Sequence, residues 1–420
     1  MLSGPSARIL AGLVLGLVAG ALLAGSAAAP AVAGVAKPVG RLWLDSLTMT
    51  VVPLVFSLLV TGVMRAAEQA AGGRLAARAL GWFALLLLAA ALVGAAATAL
   101  LLQLAPLPAA AAALPAAVSG PGPAVPAASD WLGSIVPTNP VRAAAESAMV
   151  PLVVFALLFG LAANGIEPGP RAALAQVFTG VAQTMLRIVG WVLWVAPLGV
   201  FALAIGVGLV LGGGAAGVLA HYVAVIVGAA LSSTALAYAA AALLGRISPL
   251  AFARAALPAQ VIAVSTQSSL ASLPAMVAAA PALRVRDEAA GVVLPLAVSL
   301  FRATTAAANV AVATYLATAH GVALGPATLG LGAVVAATVS VAAVGLPAQV
   351  SFFAVIAPVC LAMGVPVTLL PLLLAIETVP DIFRTLGNVT ADLAVLRIVG
   401  GRGPDAGSLS ARPPPRFGDH

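Results

Sequence analysis

Charge is what this sequence lacks. Of its 420 residues only 7% are Asp, Glu, Lys or Arg, where soluble domains carry about 25%. That deficit excludes an ordinary water-facing surface. Cysteine is almost absent. Cys360 stands alone, which rules out an intramolecular disulfide and a cysteine-based metal cluster. The three histidines, His221, His320 and His420, are scattered and form no metal motif. Acidic residues are fewer than basic ones, 12 against 19. The basic residues sit at the ends of apolar runs rather than in a patch, so the excess is no nucleic-acid signature.

What the chain has instead is apolar length. It is 62% hydrophobic with a mean hydropathy of +1.15. Runs reach about 20 residues repeatedly, enough to cross a bilayer as helices. The fold class expected is an all-α integral membrane protein, with the lipid bilayer as its surroundings. Spans are expected at 9–34, 42–64, 77–104, 142–165, 178–211 and 216–245. The first run could also be read as a signal peptide, since Ala-Gly-Ser-Ala-Ala-Ala-Pro follows it. Residues 105–130, rich in Pro, Ala and Gly and closed by Asp130, read as an external loop without a motif.

Beyond residue 246 the pattern changes. Segment 249–282 is interrupted by Ser265-Thr266-Gln267-Ser268-Ser269 and Pro274, and segment 326–364 by Gly345-Leu346-Pro347-Ala348-Gln349. Each half is about 12–18 residues, marginal for a span. Two re-entrant hairpins are therefore expected, with two kinked core helices as the alternative. A full helix follows each: 288–319, with Arg302 in its middle, and 366–400. Residues 246–400 read as one core and 1–245 as helices one to six. The Pro/Arg/Gly-rich stretch 401–420 reads as a disordered tail. Charges at the loops agree with eight spans and both termini in the cytoplasm. Arg8, Arg65, Arg74, Arg78, Arg171, Arg246, Arg254, Arg284, Arg286, Arg397 and Arg402 fall inside, and only Lys37, Arg41 and Arg142 outside.

The most telling stretch runs from Glu377 to Asp392. Glu377, Asp381, Arg384, Asn388 and Asp392 are spaced four, three, four and four residues apart. At about 100° per residue they fall within roughly 80° on one helix face. A charge at the bilayer centre costs about 2.5–3.5 kcal/mol even on the lenient insertion scale. This face must meet something polar. A solvated face or a structural ion-pair network is the plainer reading.

The stripe Asp381-Ile-Phe-Arg384-Thr385-x-x-Asn388-Val-Thr390-x-Asp392 resembles the last helix of the glutamate transporter homologues, the dicarboxylate/amino acid:cation symporter family. Gln267-Ser268-Ser269…Leu273-Pro274 resembles the tip of that family's first hairpin. Weaker likenesses run through Lys37-Pro-Val-Gly, Val52-Pro-Leu-Val-Phe-Ser, Ile135-Val-Pro-Thr-Asn-Pro140, Phe155–Leu161, Ile188–Phe201 and Val293-Leu-Pro-Leu296. The resemblance to the first helices favours keeping 9–34 as a helix.

The resemblance implies a homotrimer of elevator-type transporters, each with eight transmembrane helices, two hairpins and an inverted repeat. It implies scaffold roles for helices one to six and a transport core in 246–400. By the same likeness Arg384 meets a substrate side-chain carboxylate and Asp381 an ammonium. Thr385 and Asn388 meet the substrate's backbone groups, and Ser268 and Ser269 its α-carboxylate. Thr305, Gly345 and Pro347 complete the implied substrate site. Asp392, with Asn388, implies a sodium site, and Glu377 a further coupling carboxylate.

This sequence also departs from the family pattern. Phe301-Arg302-Ala303-Thr304-Thr305 stands where the family has Asn-Met-Asp-Gly-Thr, which removes two side-chain oxygens. The third-helix Thr-Ser ligands fall among Leu85–Leu87, and Ala348, Gln349 and Val350 replace glycine-rich sequence in hairpin two. Arg302 is then expected to stand in for a bound cation by pairing with Asp392 or Glu377. That would make transport proton-coupled or an exchange rather than sodium-driven. An alternative has Arg302 reaching an aqueous cavity while backbone carbonyls hold one sodium ion.

The leading function is a symporter for an acidic amino acid such as aspartate or glutamate, with Na⁺ or H⁺ as coupling ion. A C4-dicarboxylate symporter is the runner-up. A non-transporting binder or anion-conducting pore is a second class. An enzyme is not expected: Asp381 and Asp392 lie about 16 Å apart along a helix, too far to share a proton as an intramembrane protease dyad.

Overall fold

The computed structural model describes residues 5–71, 73–113, 136–342 and 348–401. Gly345, Pro347, most of the expected external loop and the tail beyond Gly401 lie outside the described residues. Among those described, all regular structure is helical. Five helical stretches are long and apolar enough to cross a bilayer, and six shorter apolar helices accompany them. This is a multi-pass α-helical membrane protein.

The first helix, α1 (Pro5–Leu23), is shorter than the expected 9–34. Gly25, with φ of +75°, closes a turn that an L side chain would strain. α2 (Ala29–Thr48) then starts with Pro30 in its first turn and carries Pro38 inside. It leads almost directly into α3 (Val51–Ala71). α1 lies against α8 (Ala196–Leu211) along a stripe of small residues, Gly12, Gly16 and Gly20. A Cβ on Gly16 would stand 2.5 Å from the carbonyl oxygen of Phe201 and 2.7 Å from Cβ of Ala204. Spacing of four brings the three glycines onto one face and lets backbones approach, the common device where lipid offers no hydrophobic drive. Gly16→Leu forces these helices apart and is expected to destabilise by about 1–3 kcal/mol. A lowered unfolding temperature of the purified protein in detergent checks this.

α4 (Arg74–Leu104) and α9 (Gly214–Leu243) run unbroken, close to their expected spans. Two other expected spans are broken. Region 142–165 becomes α5 (Pro140–Ala145) and α6 (Met149–Ala163), with Ser147 at φ +53° between them. Region 178–211 becomes α7 (Pro168–Trp194) and α8, hinged at Val195 before Pro197. Phe56 of α3, Phe155 and Phe159 of α6 and Phe178 of α7 knit these helices together, with ring centroids between 5.4 and 6.1 Å apart.

The second part of the chain is built around its last helix. α10 (Pro249–Thr266) and α11 (Ser269–Ala278) pack on each other as the expected first hairpin. Gln267 in the left-handed conformation reverses the chain, and the Ser268 hydroxyl accepts from Ala271 N–H at 3.2 Å to cap α11. The expected continuous helix 288–319 is two helices, α12 (Asp287–Leu300) and α13 (Ala303–Ala319). They part at Phe301, in an extended conformation, and Arg302, whose φ of −127° and ψ of 66° are also non-helical. α14 (Pro326–Ala342) and α15 (Ala348–Ala362) pack together on either side of the expected second tip. A short α16 (Leu370–Leu374) precedes α17 (Thr378–Gly400), which carries the stripe.

α17 packs on α9, α10, α12 and α13. At Gly387 it comes so near that a Cβ would run into the hydroxyls of Thr304 and Thr234. Its far end is anchored by Arg397, expected only as a cytoplasmic loop charge. The side chain is buried and donates from Nε to the carbonyl of Gly245 at 2.8 Å and from Nη1 to that of Leu283 at 2.9 Å. Arg397 thereby ties the end of α17 to the chain after α9 and to the chain after the first hairpin. Arg397→Met leaves buried carbonyls unpaired, and a stability loss of about 2–4 kcal/mol is expected. Thermal unfolding in detergent measures it.

Candidate functional site

The polar stripe falls where α17 meets the break between α12 and α13. Asn388 makes the junction. Its Oδ1 accepts from the backbone N–H of Thr304 at 3.0 Å and of Thr305 at 3.2 Å, and its Nδ2 donates to Thr305 Oγ1 at 2.9 Å. A helix starting inside the bilayer leaves its first N–H groups unpaired. One amide side chain on α17 caps α13 from across the interface. The Thr304 hydroxyl lies 3.2 Å from that of Ser233 on α9. Three helices are thus joined by four polar side chains.

One turn before this junction sits Arg384, only 5% exposed. Its Nη1 pairs with Glu377 Oε1 at 2.5 Å, and the Tyr222 hydroxyl of α9 makes a long 3.5 Å bond to the other carboxylate oxygen. Glu377, 3% exposed, therefore belongs to Arg384 and not to Arg302. This corrects one of the two pairings expected for Arg302, and the reason is register: Glu377 and Arg384 are two turns apart on one face. The Arg384 guanidinium also lies over the Phe352 ring of α15, with Cζ 5.9 Å from the ring centre. Its Nε and Nη2 are buried and have no hydrogen-bond partner. These two nitrogens form the planar edge that grips a carboxylate two-pronged. The pairing with Glu377 leaves that edge unused.

Asp381, half-buried, has an unpartnered Oδ2. Asp392 is completely buried with neither oxygen bonded. Arg302 has an unpartnered Nε and forms no ion pair within 4.0 Å among the described residues. Its charge nonetheless acts on Asp392 and Asp381. Three carboxylates face two guanidinium groups here, so at most two can be matched by fixed positive charge. A carboxylate left over in a low-dielectric interior either keeps its proton or recruits a positive charge from outside.

The structure thus brings together Glu377, Asp381, Arg384, Thr385, Asn388, Asp392, Arg302 and Thr305. Thr385 is buried beside Arg384 on α17. Ser268 and Ser269 stand at the first hairpin tip, half-buried, with no hydrogen bond to this cluster among the described residues. Several participants carried no signal in the sequence. Tyr222 and Phe352 lie in apolar runs, and Gln260, whose Nε2 donates to Thr390 Oγ1 at 2.9 Å and to the Tyr238 hydroxyl at 3.1 Å, is an isolated amide. Only the polarity of Gln260 inside a hydrophobic segment could have marked it.

The small void between α4, α9, the α12–α13 break and α17 is lined by Leu86, Ala90, Phe301, Ala303 and Ala391, with Ser233 the one hydroxyl. Phe83 of α4 stacks on Phe301 with ring centroids 4.8 Å apart. Among the described residues no group of three or more His, Cys, Asp or Glu is placed to hold a metal ion.

The profile of the sodium:dicarboxylate symporter family matches residues 6–401. The chain is 27% identical over 218 residues to a proton/sodium-glutamate symport protein of Bacillus caldotenax, covering 47% of each chain. It is 29% identical over 180 residues to the proton/glutamate-aspartate symporter of Escherichia coli K12, covering 40% of each. It is 27% identical over 197 residues to a C4-dicarboxylate transport protein of Anaeromyxobacter, covering 46% of this chain and 43% of the other. These alignments span about half the length, or less, of the curated relatives.

Proposed function

The chain belongs to the sodium:dicarboxylate symporter family, and on that premise we propose that it is a cation-coupled carrier of an acidic amino acid, aspartate or glutamate, in the plasma membrane. The observation that carries the reading is the unused Nε–Nη2 edge of Arg384, buried and held flat by Glu377 and Phe352. A guanidinium pre-set in this way selects a planar carboxylate, because orientation is settled before the ligand arrives.

Asp381 favours one of the two substrate classes named among the relatives. Its free Oδ2 offers an acceptor to an ammonium group. An amino acid brings one, and a C4-dicarboxylate does not. The Ser268–Ser269 tip would close the site from one side, with its hydroxyls on the α-carboxylate. The core 246–400 would move as the elevator and helices one to six would hold the homotrimer, with both termini in the cytoplasm. Eight spans and two hairpins accommodate the helices described, with α12 and α13 counted as one interrupted span.

The coupling ion is Na⁺ or H⁺. Counterflow of radiolabelled aspartate and of succinate into liposomes, with sodium and proton gradients imposed separately, tests the proposal. Saturable aspartate counterflow that exceeds succinate is expected. Succinate counterflow alone would make the protein a dicarboxylate carrier. Uptake of neither, or ion conductance without substrate exchange, would reject carrier function.

A further inference from the structure

Arg302 and Asp392 are an unusual pair to find in the interior of a membrane protein. Asp392 is fully buried with both oxygens unbonded. α4, α9, α10, α12 and α13 all pack against α17, and among the described residues the charge that acts on Asp392 is that of Arg302. Asp381 on the same helix is influenced by Arg384 and Arg302 together. The position of Arg302 is fixed by the fold. It is the last residue of the break before α13, and two residues later Thr304 is bonded to Asn388. Asp392 lies one helical turn beyond Asn388 on the same face. A long side chain anchored at the break, where Phe301 and Ala303 share a void with Ala391 and Ala394, can bring its charge to act on Asp392 without leaving the interior.

The surroundings of Asp392 favour a fixed charge over a bound ion. Ala391 and Ala394, which bracket Asp392 on α17, share a void with Phe301 and Ala303, which bracket Arg302; the rest of its lining is aliphatic, and its one hydroxyl, that of Ser233, is within hydrogen-bond distance of Thr304. A monovalent metal ion needs several oxygens to replace its water. A guanidinium needs far fewer, because it is weakly hydrated and carries its charge on a planar frame.

We propose that Arg302 is a built-in counter-ion for Asp392, supplying permanently the positive charge that a bound sodium ion would otherwise provide, so that this carrier binds one cation fewer per cycle than it would with a neutral residue at 302. The consequence for coupling rests on the transport reading above, but the charge pairing does not. The two parts are therefore tested separately.

The pairing is tested on purified protein in detergent, without substrate. Thermal unfolding of the wild type, Arg302→Met and the double variant R302M/D392N is followed as sodium replaces choline at constant ionic strength. Sodium is expected to raise the unfolding temperature of Arg302→Met clearly more than that of the wild type, since Asp392 then needs a cation. The double variant, lacking both charges, is expected to follow the wild type. An Arg302→Met protein that folds only with sodium supports the pairing equally. Sodium responses identical in wild type and Arg302→Met overturn it. So does an Arg302→Met protein that fails to fold under every condition while R302M/D392N fails with it. For coupling, radiolabelled aspartate affinity is measured against sodium in the same proteins. The slope of log affinity on log sodium should be steeper by about one in Arg302→Met than in the wild type, and equal slopes overturn the coupling claim. If the wild type binds neither aspartate nor succinate, the transport reading fails, and the thermal comparison still decides the pairing.

Discussion

Arg384→Ala is expected to abolish binding of acidic substrates, weakening aspartate at least about 100-fold. Truncating one partner of a buried charge pair costs about 2–5 kcal/mol, and here the lost partner would serve two carboxylates. One is Glu377, already paired at 2.5 Å. The other is the ligand, which would use the idle Nε–Nη2 edge. Arg384→Lys separates the two roles. A lysine keeps a positive charge for Glu377 but offers a point in place of a fork. It is expected to fold like the wild type and still bind aspartate about tenfold or more weaker. Binding by scintillation proximity, with unfolding temperature as the folding control, reads both variants. Undiminished aspartate affinity in Arg384→Ala would remove Arg384 from the site.

The second large effect is selective. Asp381→Asn should weaken aspartate about 10–100-fold, the value of a hydrogen bond to a charged group, and leave succinate nearly unchanged. Asparagine keeps the shape of the side chain and one acceptor oxygen but loses the charge that meets an ammonium. Asp381 makes no ion pair with Arg384 or Arg302 within 4.0 Å, so its replacement leaves the Glu377–Arg384 pair standing. Competition of unlabelled aspartate and succinate against one radioligand measures the difference. Equal losses for both ligands would assign Asp381 a general electrostatic role and favour a dicarboxylate substrate.

The sequence by itself determined the class and the face. Seven per cent charge and repeated apolar runs leave no route to a soluble core. The spacing from Glu377 to Asp392 places five polar side chains together on any helix, whatever surrounds it, because the period is a property of the backbone. The first hairpin was legible for a similar local reason: Ser268 caps its own helix, three residues from the N–H that it accepts. The first span was misjudged in length because Gly25 sits in an apolar run with no polar residue but Ser26 to mark the turn.

Only the tertiary structure decided how the face is used. The break at Phe301–Arg302 has no glycine or proline to announce it, and the amide that caps α13 comes from Asn388, 84 residues beyond Thr304. A helix can stop inside a bilayer when another helix satisfies its free N–H groups, and periodicity is blind to what lies opposite. The same holds for charge. Arg302 pairing with Asp392 or Glu377 was equally open along the chain. The fold placed Arg384 against Glu377 and left Asp392 buried with neither oxygen bonded. Composition required the buried charges to be compensated or neutralised, and packing alone chose Arg384 as the partner of Glu377.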